Sequence, residues 1–371
     1  MYYFDHSATT PVHPDVLDLM HSIQKNVYGN PSSVHSQGKK AKSLIETARK
    51  QIANTIGANP NQIIFTSGGT EANNQVFWSL LRKEKKHVIS NSIEHPAVLK
   101  VLSELSTHGI DYTLIPVNKK GRVSSINIQN AFNENTCLVS IMLANNEVGT
   151  IQPIKDLAKL AHEQNALFHT DAVQCLGKIP INVVNLDVDY LSLSPHKFYG
   201  PKGIGVLYFK NKEAISSLMI GGGQESGFRA GTENIASIAG MGLAAELATL
   251  HLENHVSELI SFESHFKTGL LSFFPNVIFN GDMNNKLPGL VSVSLPGYRS
   301  DILLAKLDRA NMAVSSGSAC GSGNLKPSHI LSEMGIDDKT NISTLRFSFG
   351  ASNSLKQIEQ LLSKLQSILT D

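Results

Sequence analysis

Apolar and polar positions follow two rhythms along this chain. From about residue 60 to 210, short apolar runs are separated by stretches with helical spacing. Ile63-Ile64-Phe65-Thr66-Ser67, His87-Val88-Ile89-Ser90-Asn91 and Leu138-Val139-Ser140-Ile141-Met142 predict strands. So do the runs ending at Asp171 and Ser194, and the run Gly205-Val206-Leu207-Tyr208-Phe209. Helices are predicted over 70–83, over 96–108 with Pro96 in the first turn, and over 153–164. Such alternation builds a layered α/β unit on a mostly parallel sheet, and ligands of such sheets bind at the carboxyl ends of the strands.

A long helical region over about 234–269 closes this pattern. Beyond it, strand-like pieces at 291–295, 312–315 and 344–348 are separated by helices. Leu355, Ile358, Leu362, Leu365 and Leu369 then recur at helical spacing, which predicts an amphipathic packing helix. The expected architecture is a large domain over 15–255 and a smaller α+β domain made of 1–14 and 256–371. There is no internal repeat and no low-complexity segment.

Composition narrows the class. At 371 residues the chain has room for two domains. Apolar content of 41% and charged content of 17% describe an ordinary globular chain, not a disordered one. With 32 Lys+Arg against 31 Asp+Glu the net charge is +1, so nothing calls for nucleic acid or an anionic membrane. The one basic cluster, Arg82, Lys83, Lys85 and Lys86, ends a predicted helix, where cations are favoured. No apolar run reaches transmembrane length, and Asp5 and His6 interrupt the N-terminus before a signal peptide can form. Three cysteines, Cys137, Cys175 and Cys320, make no disulfide framework; the expectation is a reducing, cytoplasmic compartment.

The candidate chemistry gathers at predicted strand ends. Lys197 lies just past the strand that Pro195 terminates, and lysine is seldom buried there without a partner. A desolvated lysine is suited to an imine with a carbonyl cofactor. Asp171, 26 residues upstream, also sits at a strand end. A Schiff-base lysine with a carboxylate for a pyridinium nitrogen is the signature of a pyridoxal phosphate (PLP) site. Gln174 follows Asp171 by three residues, and a helix starting there would put both on one face.

Ser67-Gly68-Gly69-Thr70-Glu71-Ala72-Asn73-Asn74 follows a strand and opens a helix, an arrangement that favours an anion without matching a P-loop or Rossmann spacing. His95 follows the next strand; stacking on a ring with proton transfer competes with a plain loop histidine, one of 14. Arg346, a charge inside an apolar strand, suits a carboxylate as well as it suits a solvent-facing edge. Gly221 through Asn234 is a Gly-rich loop long enough to be functional. In Ser315-Ser316-Gly317-Ser318-Ala319-Cys320-Gly321-Ser322-Gly323 nothing large flanks the cysteine, which predicts an exposed, mobile loop carrying a nucleophile. A free thiol titrates near ~8.5, so full deprotonation is worth only about 2 kcal/mol and a modest local field suffices. Cys137 and Cys175 sit in apolar or strand-end surroundings and are expected in the core.

Together these segments resemble the cysteine desulfurases of the class V aminotransferase group, of PLP fold type I. The resemblance rests on Ala8-Thr9-Thr10-Pro11, Asn30 through His35, Thr66 through Asn74, Glu94 through Val98, Asn145 through Thr150, His169 through Gln174, Ser192 through Gly203, Gly221 through Asn234, Ser316 through Cys320 and Arg346-Phe347-Ser348. Cys320 with the following Pro327-Ser328-His329-Ile330-Leu331 is similar to the longer-loop branch, the one tied to nitrogen fixation and housekeeping iron–sulfur assembly.

The resemblance implies a mostly parallel seven-stranded sheet flanked by helices, plus the smaller α+β domain. It implies PLP on Lys197, Asp171 at the pyridine nitrogen, Gln174 at the ring oxygen and His95 stacked on the ring. Gly69, Thr70, Ser194 and His196 would bind the phosphate, with Thr232 reaching in from the other subunit of a homodimer. Asn146 and Arg346 would hold the carboxylate of L-cysteine. Lys197 would serve as base with His95 helping, and Cys320 would take the sulfur and leave alanine. No metal is implied. The sulfur would pass to an acceptor protein, either an iron–sulfur scaffold or a tRNA-thiolation enzyme; the scaffold-gripping tail common in the housekeeping branch does not follow the closing helix, so both stay open. The alternatives are a selenocysteine lyase, another PLP-dependent lyase or aminotransferase, and a non-catalytic sulfur relay. Cys320 argues against the aminotransferase, and Lys197, Asp171, His95 and Cys320 together argue against the relay. His6-Ser7 replaces the asparagines more frequent before Ala8, with no function expected from the change.

Overall fold

The computed structural model describes residues 1–317 and 326–370. Its strands are β1 (Tyr2–Tyr3), β2 (Ile63–Thr66), β3 (His87–Asn91), β4 (Asp111–Ile115), β5 (Thr136–Ser140), β6 (Leu167–Asp171), β7 (Tyr190–Leu193), β8 (Gly205–Phe209), β9 (Ile278–Asn280), β10 (Leu290–Ser294), β11 (Met312–Ala313) and β12 (Thr344–Ser348). Seven of them form the main sheet, in the order β2-β8-β7-β6-β5-β3-β4. Strand β8 runs antiparallel to both neighbours and the other pairings are parallel. The carboxyl ends of β2, β3, β5, β6 and β7 therefore share one edge of the sheet. β2, β3, β7 and β8 are buried along their whole length, as strands covered on both faces must be.

Strand β4 had no counterpart in the apolar pattern. Its sequence Asp-Tyr-Thr-Leu-Ile is polar and half exposed because it lies at the sheet edge, paired only with β3. The predicted 234–269 helix is two helices, Ile235–Leu250 and Leu252–Phe273, bent by 71° at the break. The first is buried against the helix Ser36–Ile56; a Cβ on Gly242 would come within 2.7 Å of Ala48 Cα, so the close approach requires glycine there. Among the described residues no single helix is long and apolar enough to cross a membrane. The basic cluster caps a helix end as expected: Lys86 Nζ donates to the carbonyls of Leu80 and Leu81 at 3.2 and 2.7 Å.

The main core runs through the large sheet and its helices, from Val16 to Ala245, and takes in Leu287. A second core joins Phe4, Leu259, Phe262 and Phe266 to β10, β12 and the amphipathic closing helix Leu355–Thr370. Its sheet is antiparallel, in the order β12-β10-β9, and β1 pairs in parallel with β11. The segment after β1 bridges to β12 at Asp5 and Ser348, which brings the N-terminus to the ligand edge of the main sheet.

Candidate active site

Pro195 ends β7 because it has no N–H to give the ladder, and one 3-10 turn, Pro195–Lys197, aims Lys197 back across the sheet edge. Its Nζ donates to the carbonyls of Ser7 and Ala8, both at 2.6 Å. Those carbonyls are held in place in turn: Thr10 N–H donates to His196 O at 2.8 Å, and Tyr199 N–H to Thr10 Oγ1 at 2.8 Å. Burial, with Lys178 and Arg346 nearby, pushes the Lys197 amine down to about 7, although Asp5 and Asp171 pull the other way. An amine that is partly neutral near pH 7 is a nucleophile for a carbonyl.

Asp171 ends β6 and is only 7% exposed. It accepts from Asn73 Nδ2 at 2.7 Å and from the Val173 N–H at 3.0 Å. The residues after it form a run of tight turns, with Cys175 N–H on Ala172 O at 2.9 Å and Lys178 N–H on Cys175 O at 3.0 Å, so no helix puts Gln174 on the face of Asp171. Gln174 nonetheless faces the same cavity as Asp171, and its Nε2 donates to Ser7 O at 2.9 Å.

The turn after β2 leads into the helix Gly69–Ser79 with no side-chain cap. The N–H groups of Gly69, Thr70 and Glu71 thus have no partner inside the helix, the arrangement that receives an anion. A Cβ on Gly69 would lie 2.8 Å from Val173 Cγ2, so this backbone is approached too closely for any side chain. Glu71 braces the turn: it accepts from Ser67 N–H at 2.8 Å and from Arg229 Nε at 2.9 Å. Although burial opposes it, these bonds hold the Glu71 carboxyl below its ordinary range.

His95 caps the helix Pro96–Ser106 by accepting from Ala97 N–H at Nδ1, 3.1 Å, so the neutral ring carries its proton on Nε2. Burial and the Lys197 charge lower its pKa, against the pull of Asp171. His196 is lowered to about 4 by burial, Lys197 and Lys202, and its Nδ1 lies 3.2 Å from Thr9 Oγ1.

Arg346 reaches in from β12, an edge strand, yet it is only 8% exposed. Nη2 donates to Asp5 Oδ1 at 2.9 Å and Nη1 to the Asn146 carbonyl at 3.0 Å, while buried Nε has no partner. Of the two readings open in the sequence, the solvent-facing one is excluded. Cys175 is buried and Cys137 is half-buried, and burial raises both thiols.

Most of the predicted site residues line one cavity of about 320 Å³. It brings together Gly69, Thr70, His95, Asn146, Asp171, Gln174, Ser194, His196, Lys197 and Arg346. Thr232 does not join them; it is exposed on the Gly-rich loop. Cys320 lies outside the described residues. Sequence reasoning missed Asn73, which stands one turn after Thr70 on the same helix, a spacing that could have exposed it. It also missed Asp5 and the Ser7 carbonyl, for which no local signal exists.

The residues fit PLP. A buried carboxylate, a low-pKa lysine, a ring histidine and an uncapped helix start converge on one cavity, and the helix start is shaped so that Gly69 admits no Cβ.

Comparison with known proteins points the same way. The family model described as aminotransferase class-V matches residues 2–361. The cysteine desulfurase IscS of Dictyoglomus turgidum is 41% identical over 370 residues, covering 99% of this chain and 94% of that protein. A solved NifS-like protein superposes with a TM-score of 0.93 at 36% identity, covering 100% of this chain and 99% of its own. A structure of SspA in complex with cysteine matches with a TM-score of 0.83 at 35% identity, covering 95% of this chain and 100% of its own.

Proposed function

The chain belongs to the class-V aminotransferase family and is a PLP-dependent cysteine desulfurase; from that premise we propose a role for each residue of the cavity. The observation that carries the assignment is that five strand ends converge on a single cavity around the Lys197 amine, Asp171 and Arg346.

PLP, when bound, supplies an electron sink for the pair released at the substrate Cα. Lys197 would hold it, and Asp171, fixed by Asn73 and Val173 N–H, would present its carboxylate to the ring nitrogen. The amides of Gly69 and Thr70, with Ser194 and His196, take the phosphate. His95 would lie against the ring, with its Nε2 proton available for transfer. Gln174 offers its remaining Nε2 hydrogen to the ring oxygen.

L-Cysteine places its carboxylate on Arg346 and Asn146, and Arg346 trades its Asp5 contact to accept it. The Lys197 amine would take the Cα proton; a base working near neutral pH suits that transfer. The Cys320 thiolate then attacks the substrate sulfur. The S–S bond forms, the Cβ–S bond breaks with its electron pair left on carbon, and protonation gives L-alanine. Cys320 carries the persulfide to a sulfur acceptor, which we assign to an iron–sulfur scaffold or a tRNA-thiolation enzyme in the reducing cytoplasm.

The working unit we propose is a homodimer, each partner lending Thr232 to the other's phosphate site. Residues 15–255 form its large unit, and 1–14 with 256–371 its small one.

The test is alanine and sulfide release from L-cysteine with a reductant present. Wild type should yield equal amounts, Cys320→Ser should yield neither, and Lys197→Ala should lack the visible lysine–PLP absorbance. Sulfide release by Cys320→Ser at the wild-type rate would remove Cys320 from the mechanism.

A further inference from the structure

Lys178 is a second buried lysine that the mechanism above leaves unused. It is 8% exposed, at the end of the turns that follow Asp171. Its Nζ donates to Gln174 Oε1 at 3.4 Å. Gln174 Nε2 donates to Ser7 O at 2.9 Å, and Ser7 O also accepts from Lys197 Nζ at 2.6 Å. The two lysines are thus joined through one amide and one carbonyl. They also line a common cavity of about 220 Å³, which His95 does not line, together with His6, Tyr199 and His255.

We propose that Lys178 is a positioning residue for this reaction: it fixes the orientation of the Gln174 amide and sets the electrostatic field in which the Lys197 amine works. This rests on the PLP-dependent reading of the site. The amide argument is one of donor inventory. An ammonium has three donors and no acceptor, so it selects Oε1 of Gln174 and leaves Nε2 for the Ser7 carbonyl. Flipping that amide would set an NH₂ group against the ammonium and an oxygen against a carbonyl. One Nε2 hydrogen is thereby kept free toward the cofactor ring.

The electrostatic argument is one of like charges. Lys178, Lys197 and Arg346 share a low-dielectric region whose balancing carboxylates are Asp5 and Asp171. Burial and Arg346 lower Lys178 itself to about 8, while the Cys175 thiol pulls it up. Its charge also holds down its histidine neighbours: burial first and Lys178 second bring both His6 and His255 to about 4. His95 and His196 line the other cavity with Lys197, both lowered and therefore neutral at working pH. Removing the Lys178 charge lets Lys197 hold its proton to higher pH; keeping the charge keeps the present behaviour.

The experiment compares wild type with Lys178→Met, Lys178→Gln and Lys178→Arg in two readouts. In the holoenzyme, the pH midpoint of the visible absorbance change should rise by about one unit in the Met and Gln variants and stay in place in the Arg variant. In the cofactor-free protein, reductive methylation of Lys197 by formaldehyde and cyanoborohydride, mapped by mass spectrometry, should slow roughly fivefold at pH 7 in the neutral variants. Midpoints and labelling rates equal across all four proteins would overturn the proposal. A general folding defect would not move a midpoint and would spare none of the three variants selectively, so rescue by arginine identifies the charge. Failure of the wild type to take up PLP would instead refute the functional reading, and the labelling series, which needs no cofactor, would still decide the role of Lys178.

Discussion

Glu147 follows the cavity-lining Asn146, and its carboxyl is wedged between Gly317 and Ser328. Ser328 Oγ donates to its Oε2 at 2.5 Å, and a Cβ on Gly317 would come within 2.4 Å of the same oxygen. Burial pushes this carboxyl up to about 7 from 4.5, although the Ser328 bond and Arg346 work against the shift. A folded-state pKa above the unfolded value means that the folded protein binds more protons between about 4.5 and about 7. Stability from this group is therefore complete below that window and is lost as pH rises through it. Glu147→Gln keeps the shape and an acceptor for Ser328 but cannot ionise. Relative to wild type, it should gain on the order of 2 kcal/mol between pH 5 and pH 8, read from denaturant midpoints at the two values. A wild-type-minus-variant difference that is flat with pH would contradict the assignment. Arg346 teaches the same lesson about local reading. A charge in an apolar strand was visible in the sequence, but its Asp5 partner lies 341 positions away and its burial depends on β1 returning to β12.

At the scale of elements, the turn that opens the helix Gly69–Ser79 depends on the strand beside it. β2 pairs with β8, and a Cβ on Gly205 would lie 2.5 to 2.8 Å from the Gly68 backbone. Glycine at 205 is what lets Gly68 sit close enough to the sheet for the helix Gly69–Ser79 to start at the cavity. Gly205→Ala should push that start outward, lowering PLP affinity by at least tenfold in equilibrium dialysis and costing about 1–3 kcal/mol of stability from overpacking. Unchanged affinity would show that the turn adapts. The same turn is tied to the Gly-rich loop by Arg229 on Glu71, and the loop is anchored a second time where Arg49 grips Glu225 at 2.7 and 2.9 Å. Glu225 and Ser226 take left-handed backbone angles there, with φ of 48° and 57°. The strand–turn–helix order around Gly68 was readable from the run of apolar residues and the Gly-Gly pair. The Arg49–Glu225 clasp was not, because nothing local marks which buried arginine meets which loop carboxylate.

For the whole molecule, the exposed position of Thr232 away from its own chain's cavity sets up a test of the proposed dimer. A Lys197→Ala subunit has no working site but an intact Thr232; a Thr232→Val subunit has an intact Lys197 and lends nothing to its partner. Mixed and refolded together, the two should regain activity in the heterodimer fraction, at one site per dimer, above the sum of the separate variants. Activity no greater than that sum would mean that each chain completes its own phosphate site. The sequence by itself determined the alternating α/β elements and the chemical identity of the residues at the strand ends. Those features depend on side-chain periods of two and 3.6 residues and on proline and glycine, all of which act within a turn or a strand. Tertiary structure alone decided that the polar run Asp111–Ile115 would become the seventh strand, that the long helix would break by 71°, and that Lys197 would rest on a carbonyl 190 positions away. Each of these is settled by which surface a segment finds to pack against or pair with, and contacts between segments so far apart leave no periodic trace in either one.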